Sequence, residues 1–163
     1  MTATDDMLRN NVAYAERFSG PPMPVTPAKH LAVVACMDSR IDVHGVLGLG
    51  NGDAHVIRNA GGIVTDDVIR SLALSQKLLG TREVLLIHHT DCGMMTFEET
   101  QMIDDMEQET GRRPPFALGA FKDLDADVRE SILRIRESPF LHRSTSVRGF
   151  VYDVDTGRLR EVA

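Results

Sequence analysis

Residues 30–36 (HLAVVAC) contain a run that is apolar from Leu31 onward, rich in valine and closed by a cysteine, and this run limits the fold more than any other stretch of the chain. Polar residues do not alternate through it, so it has no face for water. It predicts a strand covered on both sides, as in a parallel sheet. Residues 55–58 and 83–88 read the same way. Between them, Thr65 is placed to cap a helix over 66–79, with Asp66 and Asp67 in the first turn. Val68, Ile69, Leu72, Ala73 and Leu79 form its apolar face, and Gly80 is its stop. Strand, helix and strand in that order predict a crossover connection. The fold class is therefore α/β, with a mainly parallel central sheet flanked by helices.

The two ends of the chain read differently. Over residues 5–18, Met7, Leu8, Val12, Tyr14, Ala15 and Phe18 recur at helical spacing, predicting an amphipathic helix entered from Thr4. Pro21, Pro22, Pro24 and Pro27 then forbid its continuation. Further helices are predicted over 97–109 and 124–137, separated by a loop around Pro114 and Pro115. Residues 148–154 and 158–162 flank Asp155, Thr156 and Gly157, which predicts an antiparallel hairpin at the sheet edge. A length of 163 residues suits a single domain over 1–163, with 1–29 as an N-terminal helical arm and proline-rich linker.

A formal net charge of -6 argues against a nucleic-acid partner, because such surfaces are clustered and basic. A small-molecule substrate is expected instead. No stretch approaches membrane-spanning length, and the first thirty or so residues lack the apolar core of a secretory signal, so no membrane partner and a cytoplasmic location are expected. In a reducing compartment, two cysteines are better read as ligands or catalytic groups than as a disulfide.

Both cysteines fall just after a buried strand, where open α/β sheets gather their functional groups. The segments are Cys36-Met37-Asp38-Ser39-Arg40 and His89-Thr90-Asp91-Cys92-Gly93. Two thiolates and one imidazole suit zinc, and three protein ligands leave the open position of a catalytic rather than a structural site. Spacing alone leaves ordinary buried cysteines open as a reading.

The two segments together resemble the β-class carbonic anhydrases, whose signature is CxDSR followed by HxxCG. Arg58-Asn59-Ala60-Gly61-Gly62 resembles the glycine-containing segment between them. The resemblance is specific over 30–93 and looser to the C-terminal hairpin. It implies one Zn2+ per chain on Cys36, His89 and Cys92, with Asp38 and Arg40 as a catalytic dyad beside the metal. It also implies a homodimer built partly by the N-terminal helix, with a higher homo-oligomer possible. The implied activity is reversible hydration of carbon dioxide to bicarbonate and a proton by zinc-bound hydroxide. Some members carry a tryptophan, forming a bicarbonate pocket, three residues before the first zinc cysteine; here that position is Val33.

From the residues upward, Asp38 either binds the metal, closing the site as a fourth ligand, or turns to Arg40, and a bidentate pair with Arg40 would keep the fourth position free. Neighbouring strand residues point to opposite sides, so of His88 and His89 one faces the metal, and the HxxC spacing selects His89. Thr90 and Asp91 could orient the ligands or serve only as polar loop residues. Two other readings stay open: hydrolysis of carbonyl sulfide or carbon disulfide at the same zinc site, and a non-enzymatic zinc-binding or thiol redox-sensing protein.

Overall fold

A computed structural model describes residues 2–142 and 145–163. The first helix, α1 (Ala3–Arg17), starts two residues earlier than the sequence suggests. Its cap is Thr2, not Thr4, because Asp5 stands three residues beyond Thr2 and completes a capping box: Thr2 Oγ1 accepts the Asp5 amide while Asp5 accepts the Thr2 amide. No residue of α1 is buried, and Met7, Leu8, Val12 and Tyr14 lie exposed along it.

The core strands follow the apolar runs. β1 (Leu31–Cys36), β2 (Ala54–Asn59), β3 (Glu83–His89), β4 (Ser146–Tyr152) and β5 (Leu159–Glu161) form one sheet in the order β2-β1-β3-β4-β5. Only the β4–β5 pair is antiparallel. The C-terminal hairpin is shorter than its sequence pattern, since Asp153 to Arg158 are taken up by the turn between the strands.

Alternate strand residues feed two cores. Ala32, Val34, Val84 and Leu86 pack with Val68 and Leu72 of α3 (Asp66–Leu79) and with Val128, Ile132 and Ile135 of α5 (Leu124–Glu137). Val33, Ala35 and Ile87 face the other way, towards Ile41, Val43, Met94, Phe121 and Tyr152. The α3 boundaries are those read from the sequence: Thr65 Oγ1 accepts the Val68 amide, and Gly80 ends the helix in the left-handed conformation. Between β1 and β2 lies a short helix, α2 (Val43–Leu47), that the sequence pattern did not announce. It is capped by Asp42 and closed by Gly48. The remaining helix, α4 (Glu99–Thr110), has no buried residue.

The chain leaves β1 towards β2 on one side and returns to β3 on the other. That reversal opens a crevice at the carboxyl ends of β1 and β3. In parallel register Ala35 lies beside Ile87, so Cys36 and His89 emerge on the same edge.

Candidate metal centre

Cys36 is the last residue of β1, and the loop after it is fixed by backbone and guanidinium contacts. Met37 N–H donates to the Asn59 carbonyl at 2.8 Å. Arg58 donates from Nε to the Cys36 carbonyl at 3.0 Å and from Nη2 to the Asp38 carbonyl at 2.7 Å. Arg58 was legible in the sequence only as part of its glycine-containing segment. Its grip on the loop depends on a contact across twenty or so residues that no local pattern encodes.

Gly62 brings the backbone of the 60–62 turn against the strand ends. Its φ is +70°, and a Cβ there would stand 2.6 Å from the Cys36 nitrogen and 3.0 Å from the Ile87 carbonyl oxygen. Only glycine meets both conditions.

At the end of β3 the two histidines part. His88 points into the α5 side, where its Nε2 meets Asp127 Oδ2 at 2.5 Å. His89 points to the cysteine side and its Nδ1 meets the Thr90 carbonyl at 2.8 Å, which makes Nδ1 the protonated nitrogen and leaves the Nε2 lone pair free. That Nε2 is buried and has no hydrogen-bond partner. The sulfurs of Cys36 and Cys92 and a ring nitrogen of His89 all lie within 4.8 Å of one another, and all three residues are buried. Among the described residues no other trio of cysteine, histidine and acidic side chains comes together in this way.

The electrostatics of the trio ask for a cation. Pairing with Cys92 holds the Cys36 thiol well below the ordinary thiol range, against the opposing effect of burial, while the same pairing pushes Cys92 far above it. One negative charge is thus shared by two sulfurs. Burial works against a charged His89, but the neighbouring Cys36 thiolate outweighs it and raises the imidazole. A buried imidazole nitrogen without a partner and two thiols that cannot both ionise unaided fit a bound divalent metal, and the N/S donor set is that of zinc.

Asp38 stands beside this trio without joining it. Its Oδ1 accepts from the Arg40 backbone and Nε, each at 2.9 Å, and its Oδ2 accepts from Arg40 Nη2 at 2.7 Å. These bonds, led by the side-chain pair, hold the Asp38 carboxyl far below the usual carboxylate range. Arg40 reaches further, with Nη1 to Asp91 Oδ2 at 2.7 Å and Nη2 to the Asp91 carbonyl at 3.0 Å. Asp91 itself adopts φ +55°, an uncommon conformation for a non-glycine residue, which turns its carbonyl and carboxylate to the same guanidinium. Both Thr90 and Asp91 therefore orient the site, the first through His89 and the second through Arg40. A cavity of about 170 Å³ opens over the trio, walled by Ala60, Gly61, Gly93 and Met94 and by Asp38.

The carbonic anhydrase family profile matches residues 31–159, which spans both ligand-bearing segments and the sheet that carries them. This chain belongs to the β-class carbonic anhydrase family. Among members of that family, it is 57% identical over 162 residues to beta-carbonic anhydrase 1 of Mycobacterium tuberculosis, covering 99% of each chain. The crystal structure of the Streptococcus mutans carbonic anhydrase superposes with a TM-score of 0.94 at 41% identity, covering 100% of this chain and 99% of that one. A more distant relative is the carbon disulfide hydrolase of Acidithiobacillus thiooxidans, 33% identical over 85% of this chain and 79% of its own. The mainly parallel sheet with its antiparallel C-terminal strand is thus the sheet of a β-class carbonic anhydrase.

Proposed function

We propose that this chain is a zinc-dependent carbonic anhydrase that interconverts carbon dioxide and water with bicarbonate and a proton, with Cys36, His89 and Cys92 as the metal ligands and Asp38 and Arg40 as the catalytic pair. The observation that carries this reading is the double engagement of Asp38 by Arg40, which turns the carboxylate away from the cysteine–histidine trio and leaves that trio at three donors. Zinc in such a site supplies Lewis acidity and lowers the pKa of water towards neutrality.

The protein's own contribution follows from the geometry. Asp38, kept ionised by Arg40, accepts a hydrogen bond from the attacking water and so orients its lone pair to the carbon. Oxygen adds to that carbon, one C=O bond becomes C–O, and the displaced proton leaves to solvent. Met94 and Ala60 give the cavity an apolar wall suited to an uncharged linear substrate. Thr90 fixes the His89 ring by accepting from Nδ1. A passive zinc or redox-sensing site has no use for the Asp38–Arg40 device, which weighs against the non-enzymatic reading.

Stopped-flow carbon dioxide hydration on protein of known zinc content tests the reading; near one zinc per chain and no hydration at any pH would overturn it. The carbon disulfide hydrolase relative favours one second reading, hydrolysis of carbonyl sulfide or carbon disulfide. Hydrogen sulfide release, assayed in parallel, separates the two.

We read residues 1–163 as one domain whose 1–29 segment is an arm, and the working form as a homodimer or higher homo-oligomer. Support comes from α1, which leaves its apolar side chains exposed on its own chain. A cytoplasmic location is proposed as well: both cysteines are free thiols at the metal cluster, which a reducing compartment preserves. Among the described residues no helix is long and apolar enough to cross a membrane.

A further inference from the structure

The turn that follows Cys92 is held from outside by a loop, and that loop is held by one carboxylate. Glu99 stands at the first position of α4, yet it caps nothing there. Its Oε1 accepts the Leu118 amide at 2.9 Å, and its Oε2 accepts the amides of Gly119 at 2.9 Å and Ala120 at 2.8 Å. Three consecutive N–H groups turned on one anion form a backbone nest, filled here by the protein's own side chain. Gly119 makes the nest possible: its φ is +77°, and a Cβ there would stand 2.2 Å from Ile63 Cδ1.

The nest leads back to the metal cavity. One residue beyond it, Phe121 N–H donates to the Met94 carbonyl at 3.3 Å, and the Phe121 ring is buried in the cluster that includes Cys36, Cys92 and Met94. Met94 lines the cavity, as does Gly61. A Cβ on Gly61 would meet Met94 Cγ at 3.1 Å and Phe121 Cε1 at 3.3 Å, so the two side chains converge on the same point of the wall. Methionine is flexible and takes its shape from what backs it.

We propose that Glu99 is a positioning residue for substrate selection: its carboxylate seats the 118–120 loop, the loop seats Phe121, and Phe121 with Met94 fixes the width of the cavity wall. The inference rests on the carbon dioxide reading of that cavity. A wall held in place favours carbon dioxide over carbonyl sulfide, whose sulfur is larger. A loosened wall admits both.

The test uses the zinc-loaded full chain with E99Q, and F121L as a second variant that leaves the nest intact. Glutamine keeps the shape but replaces one acceptor oxygen with a donor that faces the loop amides. In E99Q, hydrogen exchange at the amides of 118–120 is expected to quicken about tenfold or more. Zinc content should stay near one per chain. The KM for carbon dioxide should rise about fivefold with kcat within about twofold, and hydrogen sulfide release from carbonyl sulfide should gain on hydration. F121L should reproduce the kinetic shift with the 118–120 amides still protected. Unchanged exchange in E99Q would overturn the clamp. Faster exchange with an unchanged KM and an unchanged substrate ratio in both variants would reduce Glu99 to a structural anchor and overturn the selection role. Failure of the underlying reading looks different, because the wild-type protein itself would then hydrate no carbon dioxide.

Discussion

Both carboxylate oxygens of Asp38 are taken by Arg40, and the same guanidinium holds the carbonyl and carboxylate of Asp91 on the other ligand loop. One side chain therefore spans the two segments that carry the metal ligands, and its loss would act on both.

Replacing Arg40 with alanine frees Asp38 to turn to the metal. R40A is expected to keep its zinc, since no ligand is removed, and to lose at least about a hundredfold in carbon dioxide hydration. R40K should recover only part of this, because an ammonium cannot reproduce the two-pronged bond. Stopped-flow rates beside metal analysis check both; full activity in R40A would remove the pair from the mechanism.

The pH dependence of metal retention has a definite sign. Protons compete with zinc for two thiolates and an imidazole, so the stability that zinc adds is largest at neutral to alkaline pH and shrinks on acidification. Asp38 does not drive this: its folded pKa is depressed, so its own contribution is present above the unfolded carboxylate value and is lost only as pH falls through the lower folded one. Melting temperatures of the zinc-loaded and chelator-stripped protein should therefore converge as pH falls towards the carboxylate range. A gap that stays constant from pH 8 to about pH 5 would count against thiolate ligation.

The His88–Asp127 contact is a separate test of which histidine serves the metal. His88 is fully buried, its Nδ1 already lacks a partner, and Asp127 of α5 accepts from its other nitrogen. D127A would orphan the imidazole and is expected to destabilise the fold by about 2 kcal/mol while zinc content stays unchanged. Denaturant unfolding with metal analysis reads both quantities. Zinc loss in D127A at native fold would mean that α5 supports the ligand strand more directly.

Much of this fold was legible because its signals are local. Thr65 and Gly80 bracket α3, and the valine-rich run of β1 declares a strand with no wet face. The cluster of Cys36, His89 and Cys92 was legible through the two segments that carry it: parity says that one of His88 and His89 faces it, and the HxxC spacing selects His89. Local reading failed where two acceptable caps competed, as with Thr2 and Thr4, and the capping-box partner Asp5 decided for Thr2. It also missed α2, which is only one turn or so long. Arg58, Asp127 and Glu99 lay beyond its reach, since each acts on a backbone or side chain distant in sequence.

Gly62 should tolerate no side chain. Alanine there would force a left-handed backbone on a residue with a Cβ and push that Cβ into the end of β1, so G62A is expected to lose at least about 2 kcal/mol. The displaced atom is the Cys36 nitrogen, so zinc affinity should fall with stability. A denaturation midpoint and zinc content equal to wild type would show that the strand end can move without consequence.

The N-terminal helix carries the last prediction. Met7, Leu8, Val12 and Tyr14 are at least half exposed on their own chain, a stripe that the isolated protomer leaves in water. Burying four such side chains would contribute several kcal/mol, on the order of 1.5–3 kcal/mol each when fully covered, so the stripe is worth covering with another copy of the chain. The capping box and the acidic first turn keep α1 helical, which presents the stripe in one orientation rather than as a loose tail. Placing charges on it, as in the double variant L8E and V12E, leaves the Thr2 cap and the sheet untouched. Sedimentation velocity should show the wild-type chain as a dimer or larger and the double variant shifted towards monomer, with zinc retained. A wild-type protein that sediments as a monomer at micromolar concentration would overturn the arm reading, whereas an unshifted oligomer in the variant would move the interface to another face.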